Sequence, residues 1–230
     1  MPHGPDGKAV MTDPAADQSL EDVRLRLAPF VADAAVFDGW SLEAVREAAA
    51  QAGVDPDIAV YAFKGGAMEM IAAWIAHIDR AMVAALPAAQ VAALPIRERI
   101  RRLVLFRLEA TAGREEALSR ALAIMAMPRN AARALKLGWH SADTMWRLAG
   151  DTTTDFNHYT KRATLAGVYA STLAIFVADT SEGKQETRAF LDRRIADVMR
   201  FEKVKAQLLR PSEQRFSVAR FLGRLRYPAT

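Results

Sequence analysis

Residues 146–162 read WRLAGDTTTDFNHYTKR and lie where one predicted helix ends and the next begins. Gly150 is typical of a helix end, and the threonines that follow it are typical of a helix start. The run also packs charged and aromatic side chains far more densely than a helix junction requires. We therefore interpret this run as a functional surface of the protein as well as a connection between two helices.

The pattern W-x-x-A-G-D-x-x-T-D-x-N-x-Y-T-K-R in this run resembles the signature of the ninth coenzyme Q biosynthesis protein family. The likeness extends from about Leu27 to the C-terminus, through FDGWS at 37–41, ALAIMAMP at 121–128 and T-x-x-F-L-x-x-R at 187–194. The resemblance implies a TetR-regulator-like fold. It also implies a non-enzymatic, lipid-binding, dimeric accessory protein of ubiquinone synthesis that is a partner of the demethoxyubiquinone hydroxylase.

Apolar residues recur at three- and four-residue spacing along almost the whole chain, and strand signals are nearly absent. We predict an all-α protein of about ten helices, separated by proline and glycine residues at the joints. The predicted ranges are 19–37, 41–52, 56–63, 66–86, 97–112, 114–126, 129–149, 154–179, 184–209 and 212–226.

We divide the chain into a disordered tail over 1–18, a helix-turn-helix subdomain over 19–66, a helical lipid-binding and dimerisation domain over 67–210, and an amphipathic membrane helix over 211–230. The tail lacks both an apolar signal core and the character of a transit peptide. The longest uncharged runs have 16 residues, fewer than the roughly 20 that span a bilayer. Alanine and arginine richness suggests a bacterial chain, so we expect a cytoplasmic protein, peripheral at the inner face of the cytoplasmic membrane.

Charge is distributed unevenly along the chain. Residues 1–92 hold 6 Lys and Arg against 13 Asp and Glu, whereas residues 193–230 hold 10 against 3. Partners with negative charge should therefore meet the C-terminus. Cysteine is absent from the sequence, which excludes thiol catalysis, a disulfide framework and a thiolate metal site.

Residues 41–63 have the helix lengths and the turn glycine of a helix-turn-helix. A DNA-reading helix is normally flanked by basic or small hydroxyl side chains, but here Asp55 and Asp57 stand at its start. Only Lys64 is positive between Arg46 and Arg80. We therefore expect a scaffold in which the two aspartates suit helix capping, and no nucleic acid partner. A TetR-type transcription regulator that senses a hydrophobic ligand is the alternative function.

The helix predicted over 154–179 carries a stripe of small residues at three- and four-residue spacing. Either a closely packed helix or a ligand chain could occupy the space beside it. The family resemblance implies an isoprenoid or quinone-like lipid and no other cofactor. The stripe is Ala163, Ala166, Gly167, Ala170 and Ala174, and candidate lining residues are Met125, Met127, Met145, Trp139, Trp146 and Phe176, although a plain core explains such residues about as well.

Aromatic, Met and Arg side chains are the usual anchors of protein interfaces, and residues 145–162 combine all three. We assign this surface to the hydroxylase. The family carries a tryptophan at the position of His158. Dimerisation by the helices over 154–179 and 184–209 is expected by analogy with the fold. The predicted hydroxylase contacts are Met145, Asp155, His158, Tyr159, Lys161 and Arg162.

Catalytic and metal-binding patterns are weak. Only Asp155 and His158 have the carboxylate-x-x-histidine spacing, of which a di-iron bundle needs two pairs plus two further carboxylates. Asp151 could join them in a lone metal site, but helix capping explains the segment better. No P-loop, nucleophile elbow or dinucleotide-binding motif is present. We therefore predict no catalytic residue and no metal; a small helical enzyme is the second rival.

The last predicted helix is amphipathic. Its apolar side chains share a face about 100 degrees wide, with arginines opposite or at the edge. It could fold back onto the domain, but the basic excess favours reversible docking on a membrane surface. The predicted membrane contacts are Arg215, Val218, Arg220, Phe221, Leu222, Arg224 and Leu225.

Overall fold

The computed structural model describes residues 19–152 and 156–209 of the chain. Ten α-helices follow one another in this part, and the prediction of an all-α fold is confirmed. They are α1 (Leu20–Asp38), α2 (Leu42–Ala52), α3 (Pro56–Ala62), α4 (Ala67–Ala85), α5 (Ala88–Ala92), α6 (Ile96–Glu109), α7 (Glu115–Ala126), α8 (Ala131–Leu148), α9 (Phe156–Ala178) and α10 (Gln185–Leu209). The predicted tail over 1–18 and the predicted helix over 212–226 lie outside the described residues.

Local capping explains where the first helices begin and end. Ser19 and Asp22 form a capping box at the start of α1, and the Ser41 hydroxyl accepts the N–H of Ala44 at the start of α2. Gly53 ends α2 in the left-handed region, at φ 62°, where a side chain would be strained. The Asp55 carboxylate accepts the N–H groups of residues 57 and 58 at 2.8 and 3.2 Å. The capping role predicted for Asp55 is therefore confirmed.

α2 and α3 form the helix-turn-helix and pack against α1. α1 also contacts α4 and α7, and so joins this subdomain to the rest of the core. Trp40 lies at the junction, where its indole N–H donates to the carbonyl of Ala117 at 2.9 Å and its ring lies 5.4 Å from that of Trp74. The subdomain therefore shares one hydrophobic core with the later helices.

The sequence pattern missed α5. This helix has five residues and lies between Pro87 and Pro95, so it is too short to display a three- and four-residue repeat. Its Val91 is buried nonetheless. Two further short turns of 3-10 helix, at Pro128–Asn130 and Glu182–Lys184, precede α8 and α10.

None of the described helices, taken singly, is both long and apolar enough to cross a membrane. α3 and α4 meet the length and hydropathy condition only together, and they are bent by 93° at the break between them.

Candidate lipid cavity and neighbouring surface

A cavity of about 710 Å³ lies between α4, α7, α8 and α9, and we call it the larger cavity. Its volume falls within the range of small-molecule pockets, roughly 300–1,000 Å³. Most of the wall is apolar, with Ile71, Trp74, Ile75 and Ile78 contributed by α4. An apolar helical repeat has the same pattern in a packed core as in a cavity wall, so the sequence does not distinguish these α4 residues from ordinary core residues.

The small-residue stripe of α9 lines this cavity. Ala163, Ala166, Gly167 and Ala170 all contribute to the wall, while Ala174 does not. Gly138 of α8 lines the same space, and a Cβ atom added at Gly138 or Gly167 would meet no other atom within 4 Å. Of the two explanations for the stripe, the structure therefore favours open space over a closely packed helix.

The predicted lining residues divide into three groups. Met125 and Trp139 line the larger cavity. Trp146 instead lines a second cavity of about 480 Å³, beside Leu165 of α9 and Ile195 of α10. The remaining three line neither cavity: Met145 and Phe176 are buried in the core, and Met127 is partly exposed at the end of α7.

One corner of the larger cavity is polar. Arg107 and Ser141 line it, and Arg107 also forms an ion pair with Asp79. Arg107 Nη2 donates to the Ser141 hydroxyl at 3.0 Å, and that hydroxyl donates to Asp79 Oδ2 at 3.2 Å. The guanidinium carbon lies 4.8 Å from the ring centroid of Tyr169. We call these four residues, Asp79, Arg107, Ser141 and Tyr169, the Arg107 corner.

Arg107 is almost fully buried, with 1% of its surface exposed. Burial by itself lowers the pKa of Arg107, but attraction to Tyr169 and Asp79 and the hydrogen bonds to them outweigh it and raise the pKa above its ordinary value. Its Nε–H donates to no acceptor, and within the described part of the chain no other buried side-chain nitrogen or oxygen lacks a partner. The guanidinium is therefore charged, fixed in place and incompletely hydrogen-bonded.

A second polar cluster joins the end of α8 to the start of α9. Arg162 Nε donates to Asp143 at 2.6 Å, and its Nη1 donates to Asp151 at 3.0 Å. Lys161 Nζ also donates to Asp151, at 2.7 Å, while Arg147 donates to Asp143 at 2.6 Å. Burial acts to raise the pKa of Asp143, but hydrogen bonds from Arg162 and Arg147 lower it below its ordinary value. We call this cluster the Arg162 latch.

Two of the residues predicted to contact the hydroxylase are buried. Arg162 is only 2% exposed, and Met145 is fully buried. Neither side chain is available to a partner at the surface of the chain, so both assignments are wrong as surface contacts. Arg162 instead holds α9 to the end of α8 through Asp143 and Asp151, and Met145 is part of the hydrophobic core.

Three other residues of that prediction do reach the surface or its edge. Tyr159 is 61% exposed, and its ring centroid lies 6.0 Å from that of Trp139 and 5.2 Å from that of His158. His158 and Lys161 are half-buried. The Lys161 carbonyl accepts the indole N–H of Trp146 at 3.0 Å.

Some predicted residues lie outside the described part of the chain. They are Asp155 and the seven predicted membrane contacts, from Arg215 to Leu225. Within residues 19–152 and 156–209, no three His, Asp or Glu side chains gather closely enough to hold a metal ion.

The fold defines the class of protein. A crystal structure of the TetR transcriptional regulator from Nitrosomonas europaea ATCC 19718 matches with a TM-score of 0.60 and 22% sequence identity. The match covers 76% of this chain and 97% of that chain. The likeness shows that the chain has a TetR-like fold.

The sequence comparisons define the family. The COQ9 family matches residues 131–202. Ubiquinone biosynthesis protein COQ9, mitochondrial, is 30% identical over 189 residues in both Rattus norvegicus and Homo sapiens, which is 79% of this chain and 60% and 59% of those proteins. A probable ubiquinone biosynthesis protein coq9, mitochondrial, of Dictyostelium discoideum is 25% identical over 173 residues, 73% of this chain and 56% of that protein. The chain thus spans about 60% of the length of these relatives. It belongs to the COQ9 family, as its motifs predicted.

Proposed function

We propose that this protein is a non-enzymatic accessory protein of ubiquinone biosynthesis. In this proposal it binds an isoprenoid precursor of ubiquinone in the larger cavity and presents it to the demethoxyubiquinone hydroxylase. The role in ubiquinone biosynthesis is supported by the family, whose relatives carry that description. The observation that carries lipid binding is the apolar cavity that the α9 stripe opens.

The wall chemistry of the larger cavity suits a hydrocarbon chain. Each methylene group that leaves a bilayer forfeits about 0.8 kcal/mol unless it enters an equally apolar site. Ile71, Ile75, Leu122 and Met125 supply such a site, and Met adapts to irregular shapes. Leu135, which lines the same cavity, is 75% exposed. The wall therefore reaches the protein surface, as an entry route for a lipid requires.

The proposed partner surface adjoins the cavity. Tyr159 is exposed and contacts Trp139, which lines the larger cavity. A protein that docks on Tyr159 is therefore separated from the bound lipid only by the rings of Tyr159 and Trp139. This arrangement supports presentation of the lipid to an enzyme, with Tyr159, His158 and Lys161 as the contacts that α9 offers.

We extend the proposal to assembly and location. A homodimer would form through α9 and α10, where Met199 and Phe201 of α10 expose apolar surface. Residues 211–230 would dock reversibly on the inner face of a bacterial cytoplasmic membrane, drawn by the basic excess over 193–230. No nucleic acid partner is proposed, because the start of α3 is acidic and Arg46 pairs with Glu43.

The deciding experiment is gentle purification from a quinone-making host, followed by native mass spectrometry and analysis of the organic extract. We expect an isoprenoid quinone or precursor at a stoichiometric amount. Recovery of bulk phospholipid or of no lipid, together with binding of operator-like palindromic DNA at physiological salt, would contradict the proposal and favour a ligand-sensing regulator.

A second assay addresses catalysis. A demethoxyubiquinone incubated with the purified protein alone should remain unchanged. Addition of the hydroxylase should yield the hydroxylated product. Product formed without the hydroxylase, and lost in His158→Ala, would instead favour a small helical enzyme.

A further inference from the structure

The Arg107 corner is a polar site in the wall of an apolar cavity. Arg107 and Ser141 are each 1% exposed and line the larger cavity together with Tyr169, and Asp79 forms an ion pair with Arg107. Leu135, on the same wall, is 75% exposed. The cavity therefore extends from the protein surface to this deeply buried corner.

Stability alone gives no reason for an ion pair at this position. Withdrawing two charges from water is costly, and replacing a buried pair by apolar side chains of similar volume is often neutral or stabilising. The surrounding wall is made of Ile, Leu, Trp and Ala side chains, into which such replacements would fit. Packing does not explain why Arg107 and Asp79 are buried here, whereas a ligand that hydrogen-bonds to the Arg107 guanidinium would explain it.

The hydrogen bonds of Arg107 are incomplete. Nη1 pairs with Asp79, Nη2 donates to Ser141, and Tyr169 adds a further hydrogen bond to the guanidinium, but Nε donates to no acceptor. A guanidinium offers only donors, and a buried donor without an acceptor is unfavourable. The corner therefore calls for an acceptor atom, which a hydrocarbon chain lacks and an oxygen atom supplies.

The charge balance of the corner selects the type of acceptor. Asp79 already neutralises Arg107 through a direct ion pair. An anionic head group would add a second negative charge beside Asp79 in a site shielded from water, which is unfavourable. A neutral hydroxyl, methoxy or carbonyl oxygen satisfies the donor without that repulsion.

We propose that the Arg107 corner recognises a neutral oxygen at one end of an isoprenoid lipid, which binds with this end inward and its hydrocarbon chain toward Leu135. Arg107 and Ser141 are then the residues that set specificity for oxygen-bearing isoprenoids over hydrocarbons. The inference rests on the proposed function, because it assumes that the larger cavity holds an isoprenoid.

The first test compares two probes on the wild-type protein: geranylgeraniol, and the hydrocarbon of the same skeleton without its oxygen. Binding is followed by the fluorescence of Trp74 and Trp139, which line the larger cavity. One hydrogen bond to a charged donor corresponds to a preference of about ten-fold or more for the alcohol.

Equal affinities would overturn the inference and leave the proposed function standing, whereas failure of both probes to bind would overturn the two together. Tighter binding of palmitate than of the alcohol would overturn the assignment of a neutral head group.

The second test removes the ion pair without stranding a charge. The double variant Asp79→Leu/Arg107→Met should bind the hydrocarbon as the wild type does and lose the preference for the alcohol. The matched control, Arg101→Met/Asp192→Leu, removes an Arg–Asp pair between α6 and α10 that does not line the larger cavity, and should keep the preference. Preservation of the preference in Asp79→Leu/Arg107→Met would overturn the inference.

A spectroscopic measurement needs no variant. Infrared spectra of a short-chain ubiquinone bound to the wild-type protein should show a carbonyl band at lower frequency than in a hydrocarbon solvent, because a hydrogen bond from Arg107 weakens the C=O bond. An unshifted carbonyl band would contradict inward binding of the quinone ring.

Discussion

The ring of Trp139 lies 6.0 Å from the ring of Tyr159, and the two residues belong to different environments. Trp139 lines the larger cavity, whereas Tyr159 is 61% exposed. α8 supplies the first residue and α9 the second, so packing of these helices places a surface aromatic residue against the cavity wall. A docked partner and a bound lipid would therefore be separated by a single pair of rings.

Tyr159→Ala should weaken binding of the demethoxyubiquinone hydroxylase by about ten-fold or more, since aromatic anchors often contribute over about 1.4 kcal/mol at interfaces. The amount of co-purified lipid should not change, because Tyr159 does not line the larger cavity. Affinity is measured by titrating the purified hydroxylase.

Phe37→Ala is the matched control, because Phe37 is a still more exposed aromatic residue at the end of α1. It should leave the affinity for the hydroxylase unchanged. Equal losses in Tyr159→Ala and Phe37→Ala would show that the surface around Tyr159 has no special role.

Gly138→Leu/Gly167→Leu should reduce co-purified isoprenoid several-fold. The added side chains project into the larger cavity from α8 and α9, where a Cβ atom meets no other atom within 4 Å. Leu also has a higher helix propensity than Gly, so the free energy of unfolding should rise by roughly 1 kcal/mol for the two replacements. Extraction of the lipid and urea unfolding measure the two effects.

Ala132→Leu serves as the control for added bulk, since Ala132 is exposed on α8 and does not line the larger cavity. It should leave the lipid content at the wild-type level. A glycine double variant that is stable and still carries a full complement of isoprenoid would argue against the cavity as the binding site.

Local sequence signals predicted the helices well, because capping and glycine termination depend on neighbouring residues. Gly53 and Asp55 mark the end of α2 and the start of α3 as expected. The α9 stripe was also visible, but the sequence could not distinguish a packed neighbour from empty space. That outcome depends on the distance between α9 and α8, which the periodicity of one helix does not encode.

Charged residues were harder to place from the sequence. Arg162 was interpreted as an exposed anchor, but it is buried because Asp143 and Asp151 surround it. The Arg107 corner was missed entirely, since Asp79 and Ser141 are 28 and 34 residues away from Arg107 along the chain. In the sequence Arg107 is one of five arginines in α6, and no local pattern marks it as the buried one.

Arg162→Met should destabilise the protein strongly, because it leaves Asp143 and Asp151 facing each other without the buried cation between them. Breaking one side of a buried ion pair typically costs about 3–5 kcal/mol. The free energy of unfolding in urea measures the loss.

Arg147→Met is the matched control, because this side chain also pairs with Asp143 but is 72% exposed. The free energy of unfolding should therefore fall by about 1 kcal/mol or less in this variant. Similar, small losses in both variants would contradict the latch.

Acid should weaken the joint between α9 and α10 through Asp179. Hydrogen bonds from Ser181 and Thr187 hold the pKa of Asp179 well below its usual range. The Ser181 hydroxyl donates to the Asp179 carboxylate at 2.5 Å and the Thr187 hydroxyl at 2.6 Å. The backbone N–H of Thr187 also donates to this carboxylate, at 2.8 Å. Because the pKa is lower in the folded than in the unfolded protein, the stabilisation is complete above the ordinary carboxyl pKa of about 4 and declines as the pH falls below it.

Asp179→Asn, which cannot ionise, should unfold at a lower temperature than the wild type at pH 7 but lose less stability on acidification. Thermal unfolding followed by circular dichroism from neutral to acidic pH measures both midpoints. Parallel pH profiles for the two proteins would show that Asp179 does not contribute to the acid sensitivity.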